Sequence, residues 1–232
     1  MNRKFFSVDF NQTKLIGDAV SQNNQSRLLC LHGGGPVGKK RFDKLRESLS
    51  NKKISSCAFD FIGHGETVGD ITASSLESRV KQVLSIVRSQ ALFQPLSVIA
   101  SSMSGHVAIK LTKFLDIENI ILLAPAVYTS KAYSVSFGPK FSEIIREQCS
   151  WRHSDIWEIL KDYTGNLLIF AAEKDQIIPN EVIKRIYNSA TNTNTKEIIT
   201  FKNATHPLIE WLDKHPDHLE QVSDRIYHVI QK

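Results

Sequence analysis

The sequence predicts an α/β fold in which a mostly parallel sheet is covered by helices on both faces. Short apolar runs with the character of strands alternate along the chain with stretches whose apolar residues recur at helical spacing. The apolar runs are almost continuous, which is typical of strands buried on both faces of a parallel sheet. A length of 232 residues, with 41% hydrophobic and 23% charged residues, fits one such domain spanning 1–232.

Eight segments have the composition of strands. The first two are short and adjacent, so we expect an antiparallel hairpin at one edge of the sheet. Most of the others are separated by helical stretches, which suit the crossover connections of a parallel sheet. In chain order the predicted strands are 5–10, 14–20, 27–31, 54–61, 96–100, 119–124, 167–172 and 197–201.

Helices are predicted where apolar residues repeat every three or four positions. Between 126 and 164 the alternation of strands and helices stops, and aromatic residues accumulate among short helix-like pieces. This interruption predicts a small cap inserted above one end of the sheet. The predicted helices are 39–50, 74–90, a helix beginning at 102, 180–189 and a C-terminal helix that carries Leu219, Val222, Ile226 and Val229.

The charge and the cysteines indicate an intracellular protein without a nucleic-acid partner. The net charge is +5, but the tightest basic run, at 39–41, is interpreted as a solvated helix start because no larger basic patch accompanies it. The three cysteines are odd in number and far apart, which indicates free thiols in a reducing compartment. The N-terminus has no apolar core of a signal peptide, and no run approaches the roughly 18–20 residues of a membrane helix. We therefore expect a cytoplasmic protein.

Three reactive side chains follow three different predicted strands. Ser102 follows the fifth strand, Asp175 the seventh and His206 the eighth. Ligand sites in parallel sheets lie outside the carboxyl ends of the strands, so we expect these side chains to share one rim. At Ser102 the chain passes from a strand through small residues into a helix. Such a turn projects a hydroxyl above the sheet beside a helix N-terminus.

This order of serine, acid and histidine, with a strand–turn–helix around the serine, resembles the α/β-hydrolase fold family. The resemblance covers nearly the whole chain. His-Gly-Gly-Gly at 32–35 is similar to the oxyanion loop of the family, and 60–67 is similar to its D-x-x-G-H-G-x-S segment. Asp175, with a proline four residues later, is similar to the acid turn of the family.

The G-x-S-x-G motif of that family is altered in this chain. The corresponding segment, 100–104, is A-S-S-M-S, so small residues replace both glycines. The glycines allow a strand and a helix to approach closely around a strained serine, and alanine and serine partly preserve this. Gly105 follows, as in the common S-M-G-G run of the family, and it fixes the register on Ser102.

The resemblance implies a serine hydrolase that cleaves a carboxylic ester or thioester of a small-molecule or acyl substrate, without a cofactor or metal. It makes Ser102 the nucleophile, His206 the general base and acid, and Asp175 the residue that orients the imidazole. The backbone N–H groups of Gly34 and Met103 would bind the oxyanion. Further substrate contacts are predicted at His32, Gly33, Tyr128, Trp151 and Trp157.

Two alternatives stay open from the sequence, as does the oligomeric state. The lost glycines also fit a non-catalytic member of the fold that binds a small molecule or a partner protein. The segment 33–40 nearly matches the phosphate-binding loop G-x-x-x-x-G-K-[ST], follows a strand and opens a helix, as a nucleotide-binding loop would. Lys40 stands where that motif needs a hydroxyl for magnesium, and Pro36 removes a loop N–H, so we favour the hydrolase interpretation.

Overall fold

The structure, a computed structural model, describes residues 3–21 and 27–231, and within them eight strands form a sheet. The strands are β1 Arg3–Phe10, β2 Thr13–Val20, β3 Leu28–Leu31, β4 Ser56–Phe59, β5 Leu96–Ser101, β6 Ile117–Leu123, β7 Asn166–Ala172 and β8 Thr195–Phe201. Their order across the sheet is β1-β2-β4-β3-β5-β6-β7-β8. The predicted α/β fold is confirmed, and each predicted strand is present within a few residues of its expected bounds.

The directions of strand pairing place three strand ends on one rim. β1 pairs with β2, and β2 with β4, in antiparallel fashion, so the N-terminal hairpin forms one edge. All other neighbouring strands of this sheet pair in parallel. The C-terminal ends of β5, β7 and β8 therefore open onto the same side of the sheet.

Helices connect these strands and cover both faces of the sheet. The α-helices are α1 Asp43–Asn51, α2 Leu76–Ser89, α3 Ser104–Leu111, α4 Pro139–Arg146, α5 Ile156–Asp162, α6 Asn180–Ser189, α7 Leu208–Leu212 and α8 Pro216–Ile230. Helix α2 begins after Ser75, whose hydroxyl accepts a hydrogen bond from the Ser78 N–H at 3.0 Å. Across 3–21 and 27–231, no helix is both long and apolar enough to cross a membrane.

Two elements near Asp60 differ from the prediction. β4 ends at Phe59, and Asp60 follows it with its N–H donating to the Ile16 carbonyl at 2.9 Å and its carboxylate accepting from the Lys39 N–H. The predicted helix 39–50 is divided into a 3₁₀ helix, Gly38–Phe42, and α1. The Asp60 carboxylate satisfies a backbone N–H at the start of that 3₁₀ helix, where no intrahelical acceptor is available.

The hydrophobic core has two parts, one on each face of the sheet. Neighbouring residues Val98 and Ile99 of β5 belong to different apolar clusters, as do Ile120 and Ile121 of β6. Successive side chains of a strand point to opposite faces, so these strands are buried on both sides. This double burial explains their continuous apolar sequences and holds the end of β5, where Ser102 follows, in the middle of the sheet.

Residues 126–164 connect β6 to β7. They contain α4, α5 and two 3₁₀ helices, Ser130–Ala132 and Ser150–His153. Several aromatic side chains of this segment are buried in the larger apolar cluster: Phe137, Phe141, Trp157 and Tyr163. These side chains pack the segment onto the rest of the molecule.

Candidate active site

Three side chains meet at the rim formed by the ends of β5, β7 and β8. The hydroxyl of Ser102 lies 3.0 Å from Nε2 of His206. Nδ1 of the same imidazole lies 2.8 Å from Oδ2 of Asp175. The geometry allows His206 to accept the serine proton at Nε2 while its Nδ1–H donates to the carboxylate.

Ser102 occupies a strained turn between β5 and α3. Its φ is +49°, in the left-handed region, where a non-glycine residue stores strain of the order of 1–3 kcal/mol. Backbone hydrogen bonds hold this conformation. The Ser102 N–H donates to the Leu123 carbonyl at 3.0 Å, and its own carbonyl accepts from Gly105 and Ala126, both at 2.9 Å. The turn sets the hydroxyl at the rim, beside the start of α3.

The two positions that lack glycine are accommodated in different ways. Ala100 is fully buried within β5, where it pairs with both neighbouring strands. Ser104 is also fully buried, and its hydroxyl donates to the carbonyl of His32 in the loop after β3. The start of α3 comes closest to the segment after β6 one residue later, where a Cβ on Gly105 would lie 2.6 Å from Cβ of Pro125. The glycine needed for packing is therefore Gly105.

The turn after β7 presents the Asp175 carboxylate. Oδ1 accepts hydrogen bonds from the backbone N–H groups of Ile177 at 2.9 Å and Ile178 at 2.8 Å, which leaves Oδ2 for His206. Partial burial opposes ionisation, but the hydrogen bonds from His206 and the two N–H groups outweigh it and lower the pKa of Asp175. The carboxylate is ionised at neutral pH, as the partner of an imidazolium must be.

The loop after β3 packs directly against the serine turn. A Cβ on Gly33 would lie 3.0 Å from both the Ser101 carbonyl oxygen and Ser102 Cβ, so a side chain there would push the loop away. A Cβ on Gly34 would meet nothing within 4 Å. Among the described residues, neither the Gly34 N–H nor the Met103 N–H donates a hydrogen bond. Two backbone donors near Ser102 are therefore available to a ligand.

A cavity of about 350 Å³ opens at this rim. Its walls include Gly34, Ser102, His206, Arg41, Ile177 and Glu210. The last three were not predicted from the sequence. The Arg41 guanidinium donates to the Gly34 carbonyl at 3.0 Å and lies 3.8 Å from a Glu210 carboxylate oxygen. The closeness of Arg41 to the glycine loop in sequence is a signal that could have identified it.

The same loop and serine turn lie within a match to a known protein family. The family model described as serine aminopeptidase, S33, matches residues 22–156, more than half of the chain. The chain belongs to this family. It is a hydrolase of the α/β-hydrolase type, and Asp175 and His206 lie beyond the matched segment.

Solved structures share the fold of this hydrolase at low sequence identity. A protein described as a predicted CIB-like hydrolase from Thermoplasma acidophilum is 16% identical, with a TM-score of 0.73 over 98% of this chain and 99% of that chain. Est1E from Butyrivibrio proteoclasticus, solved with ferulic acid bound, is 16% identical, with a TM-score of 0.72 over 98% and 100%. The esterase EaEST from Exiguobacterium antarcticum is 15% identical, with a TM-score of 0.71 over 96% and 98%. None of the curated proteins matches the chain.

In this hydrolase His32 supports the glycine loop from the buried side. Its Nδ1–H donates to the Gly33 carbonyl at 2.8 Å, and its Nε2 accepts from the Phe61 N–H at 3.0 Å. Burial, and after it the positive charge of Arg79, lower the pKa of His32 well below its ordinary value, so the ring stays neutral. The predicted substrate contact is corrected here, because the ring is fully buried and both nitrogens are bonded to the backbone.

The predicted aromatic contacts also lie away from the cavity. The rings of Tyr128 and Phe141 pack with centroids 5.6 Å apart, and those of Trp151 and Trp157 pack at 6.2 Å. None of these four rings lines the cavity among the described residues. Large apolar rings gain more from packing on one another than from facing a polar rim. Of the five predicted contacts, the structure brings Gly33 to the serine.

Gly38 and Lys39, from the segment that nearly matches a phosphate-binding loop, have a structural role. The ammonium of Lys39 lies 2.8 Å from a carboxylate oxygen of Asp60 and also pairs with Glu66, and its side chain is 2% exposed. A Cβ on Gly38 would lie 2.1 Å from Oδ1 of Asp60. The segment therefore packs around a carboxylate of the hydrolase itself, which leaves Lys39 unavailable to a nucleotide phosphate.

Proposed function

We propose that this hydrolase cleaves carboxylic esters or thioesters through a serine nucleophile and an acyl-enzyme. The observation that carries the proposal is the continuous hydrogen-bonded chain Ser102–His206–Asp175, with contacts of 3.0 and 2.8 Å. The two available N–H groups, those of Gly34 and Met103, stand on the neighbouring loop and turn. The arrangement supplies a nucleophile, a base, an orienting acid and two oxyanion donors.

Acylation begins when Oγ of Ser102 attacks the acyl carbon and its proton passes to Nε2 of His206. Asp175 stabilises the imidazolium that forms. The N–H groups of Gly34 and Met103 bind the negative charge on the acyl oxygen, and each such donor contributes about 10²–10³ in rate. Nε2–H then protonates the departing alkoxide or thiolate, which leaves the acyl group on the serine.

Deacylation repeats these steps with water as the nucleophile. Nε2 of His206 takes a proton from the water as its oxygen attacks the acyl carbon. The same two N–H groups bind the second tetrahedral intermediate. The proton then returns to Oγ of Ser102 as the carbon–oxygen bond breaks. One water is consumed, one carboxylic acid is released, and the enzyme is regenerated.

The size and lining of the cavity favour a short acyl chain. Its volume of about 350 Å³ lies near the lower end of the roughly 300–1,000 Å³ of small-molecule sites. The exposed side chain of Ile177 supplies an apolar wall. The Arg41–Glu210 pair makes another wall polar. We propose that a short apolar acyl group binds against Ile177.

Two further features complete the proposal. We propose that 126–164 is a cap insertion, because it interrupts the alternation of strands and helices between β6 and the strand that carries the catalytic acid. It packs beside the cavity without contributing a described residue to its wall. We also propose a reducing, cytoplasmic setting, because Cys30, Cys57 and Cys149 are all unpaired. Burial raises the pKa of Cys30 and Cys57 to about 12, so these two thiols are chemically inert.

A substrate panel tests the proposed function. We expect hydrolysis of p-nitrophenyl esters and acyl thioesters, with a kcat of the order of 1–10³ s⁻¹ on the best substrate. Acetyl to hexanoyl esters should be cleaved with a higher kcat/KM than dodecanoyl esters, because the cavity is small. The measurement is a steady-state assay over acyl chain length.

An aminoacyl p-nitroanilide belongs in the same panel because the family model is described as an aminopeptidase. Preference for the anilide would replace the ester proposal with amide hydrolysis. Binding of ligands without turnover of any compound would favour the non-catalytic alternative.

A further inference from the structure

Arg79 is a buried cation without an anionic partner. It lies in the first turn of α2, and the whole residue is 1% exposed. The titratable or charged groups near it include Tyr128, Arg41 and the ring of His64, and no described carboxylate forms an ion pair with it. A buried charge is costly unless it is paired, and a cation near a helix N-terminus is further disfavoured by the helix dipole. The contacts of Arg79 must therefore offset this cost.

The guanidinium is held between two aromatic rings and two hydrogen-bond acceptors. Its central carbon lies 4.5 Å from the centroid of the Phe61 ring and 5.1 Å from that of Phe137. One terminal nitrogen donates to the Gly33 carbonyl at 3.3 Å, and the other donates to Nε2 of His64 at 3.2 Å. Cation–π contacts and these acceptors stabilise the charge without neutralising it.

The protonation of this cluster is consistent with a charged Arg79. Burial lowers its pKa to about 10, which leaves the guanidinium protonated at neutral pH. Burial, and then the charge of Arg79, lower the pKa of His64. Nδ1–H of His64 donates to the Ile62 carbonyl at 3.1 Å, so Nε2 is unprotonated and its lone pair faces Arg79.

The Gly33 carbonyl belongs to the same peptide group as the Gly34 N–H, the oxyanion donor of the proposed mechanism. In a planar trans peptide the carbonyl and the N–H point in opposite directions. Donors that fix the carbonyl therefore fix the N–H. Two donors converge on this oxygen, the neutral His32 ring at 2.8 Å and the cationic Arg79 at 3.3 Å.

We propose that Arg79 is a positioning residue that aligns and polarises the Gly33–Gly34 peptide for oxyanion binding. A positive charge on the carbonyl side draws electron density from the amide and makes its N–H a stronger donor. The low-dielectric surroundings strengthen this effect. Arg41 acts differently, because it donates to the Gly34 carbonyl and hence to the next peptide along the chain. The inference rests on the proposed function.

Variants of Arg79 separate this role from simple packing. R79Q keeps a donor but removes the charge, and R79K keeps the charge. We expect R79Q to lower kcat about 10- to 100-fold, because the stronger donor acts mainly on the transition state. KM should change by less than about twofold. R79K should restore kcat to within about threefold of wild type.

A second readout is the affinity for an alkylboronic acid. This compound forms a tetrahedral anionic adduct on the serine and so resembles the intermediate. We expect its affinity to fall in R79Q by about the same factor as kcat.

R46Q is the matched control. Arg46 is equally buried but pairs with Asp18 and bonds to Ser56, which lies beside Leu28 at the opposite end of the strands. We expect R46Q to lower the free energy of unfolding without changing kcat of the folded enzyme. Unfolding is followed by circular dichroism, and the assays are run where every variant is folded.

The outcomes separate the role of Arg79 from the proposed function. If the wild-type enzyme is active and R79Q keeps its kcat and boronate affinity, the proposed role of Arg79 is overturned while the proposed function stands. Equal losses in R79K and R79Q would also overturn this role, since packing would then explain both. A wild-type enzyme that neither hydrolyses esters nor binds the boronate would overturn the proposed function, and this inference with it.

Discussion

Replacing Ser102 with alanine is expected to lower kcat by about 10⁶-fold, because the acyl-enzyme cannot form without its hydroxyl. The His206–Asp175 pair and the cavity remain, so the fold and ligand binding should be nearly unchanged. The measurement is kcat on the best ester of the panel, with circular dichroism to show that the variant is folded.

Two neighbouring serines provide matched controls for this variant. Ser101 borders the cavity but is buried at the end of β5, and S101A should leave kcat within about threefold of wild type. Ser104 donates to the His32 carbonyl, and S104A should lower kcat about tenfold, because that bond ties the serine turn to the glycine loop after β3. A loss of kcat in S104A as large as that in S102A would indicate Ser104 as the nucleophile and contradict the assignment of Ser102.

Replacing Asp175 with asparagine is expected to lower kcat by about 10⁴-fold. The carbonyl oxygen of asparagine can keep the bonds from Ile177 and Ile178, which leaves its NH₂ group facing Nδ1 of His206. That group donates, so the imidazole proton moves to Nε2, and the base that Ser102 needs is lost. A pH–rate profile and kcat on the ester check this expectation.

The same variant should alter the dependence of stability on pH. The folded-state pKa of Asp175 is lowered, so its carboxylate contributes stability above its unfolded pKa, near 3.9. This contribution is lost as the pH falls through the folded pKa. The difference in free energy of unfolding between wild type and D175N, measured by denaturant titration, should therefore shrink on acidification.

Glu173 is the matched control for the acid. It lies two residues earlier, is exposed, and accepts a hydrogen bond from the Asn203 N–H at 2.8 Å. E173Q should keep wild-type kcat within about threefold. A loss of kcat in E173Q comparable to that in D175N would contradict the assignment of Asp175 as the orienting acid.

The sheet and the three rim residues could be predicted because local patterns determine them. The continuous apolar runs of β5 and β6 reflect burial on both faces, which is a property of each strand by itself. Ser102, Asp175 and His206 each follow a strand, and parallel strands necessarily end on one rim. The altered motif at 100–104 did not obscure the position of Ser102, because Gly105 fixes the register and because Asp175 and His206 follow two other strands.

The supporting residues could not be predicted, because contacts between distant segments determine their roles. Arg79 looks like an ordinary polar position in an amphipathic helix, and only the fold brings it to the Gly33 carbonyl. His32 belongs to the loop motif, but its hydrogen bond from the Phe61 N–H joins segments 29 residues apart. Trp151 and Trp157 suggested a pocket wall, yet aromatic composition alone does not tell a pocket from a packed cluster.

The most direct test of the central claim is to locate the residue that a fluorophosphonate modifies. The peptide 89–110, released by cleavage after Arg88 and Lys110, also contains Ser89, Ser97, Ser101 and Ser104, so fragmentation spectra must assign the site. We predict one phosphonyl group on Ser102 in the wild type and none in S102A. Modification of another serine, or labelling that persists in S102A, would contradict the assignment of Ser102 as the nucleophile.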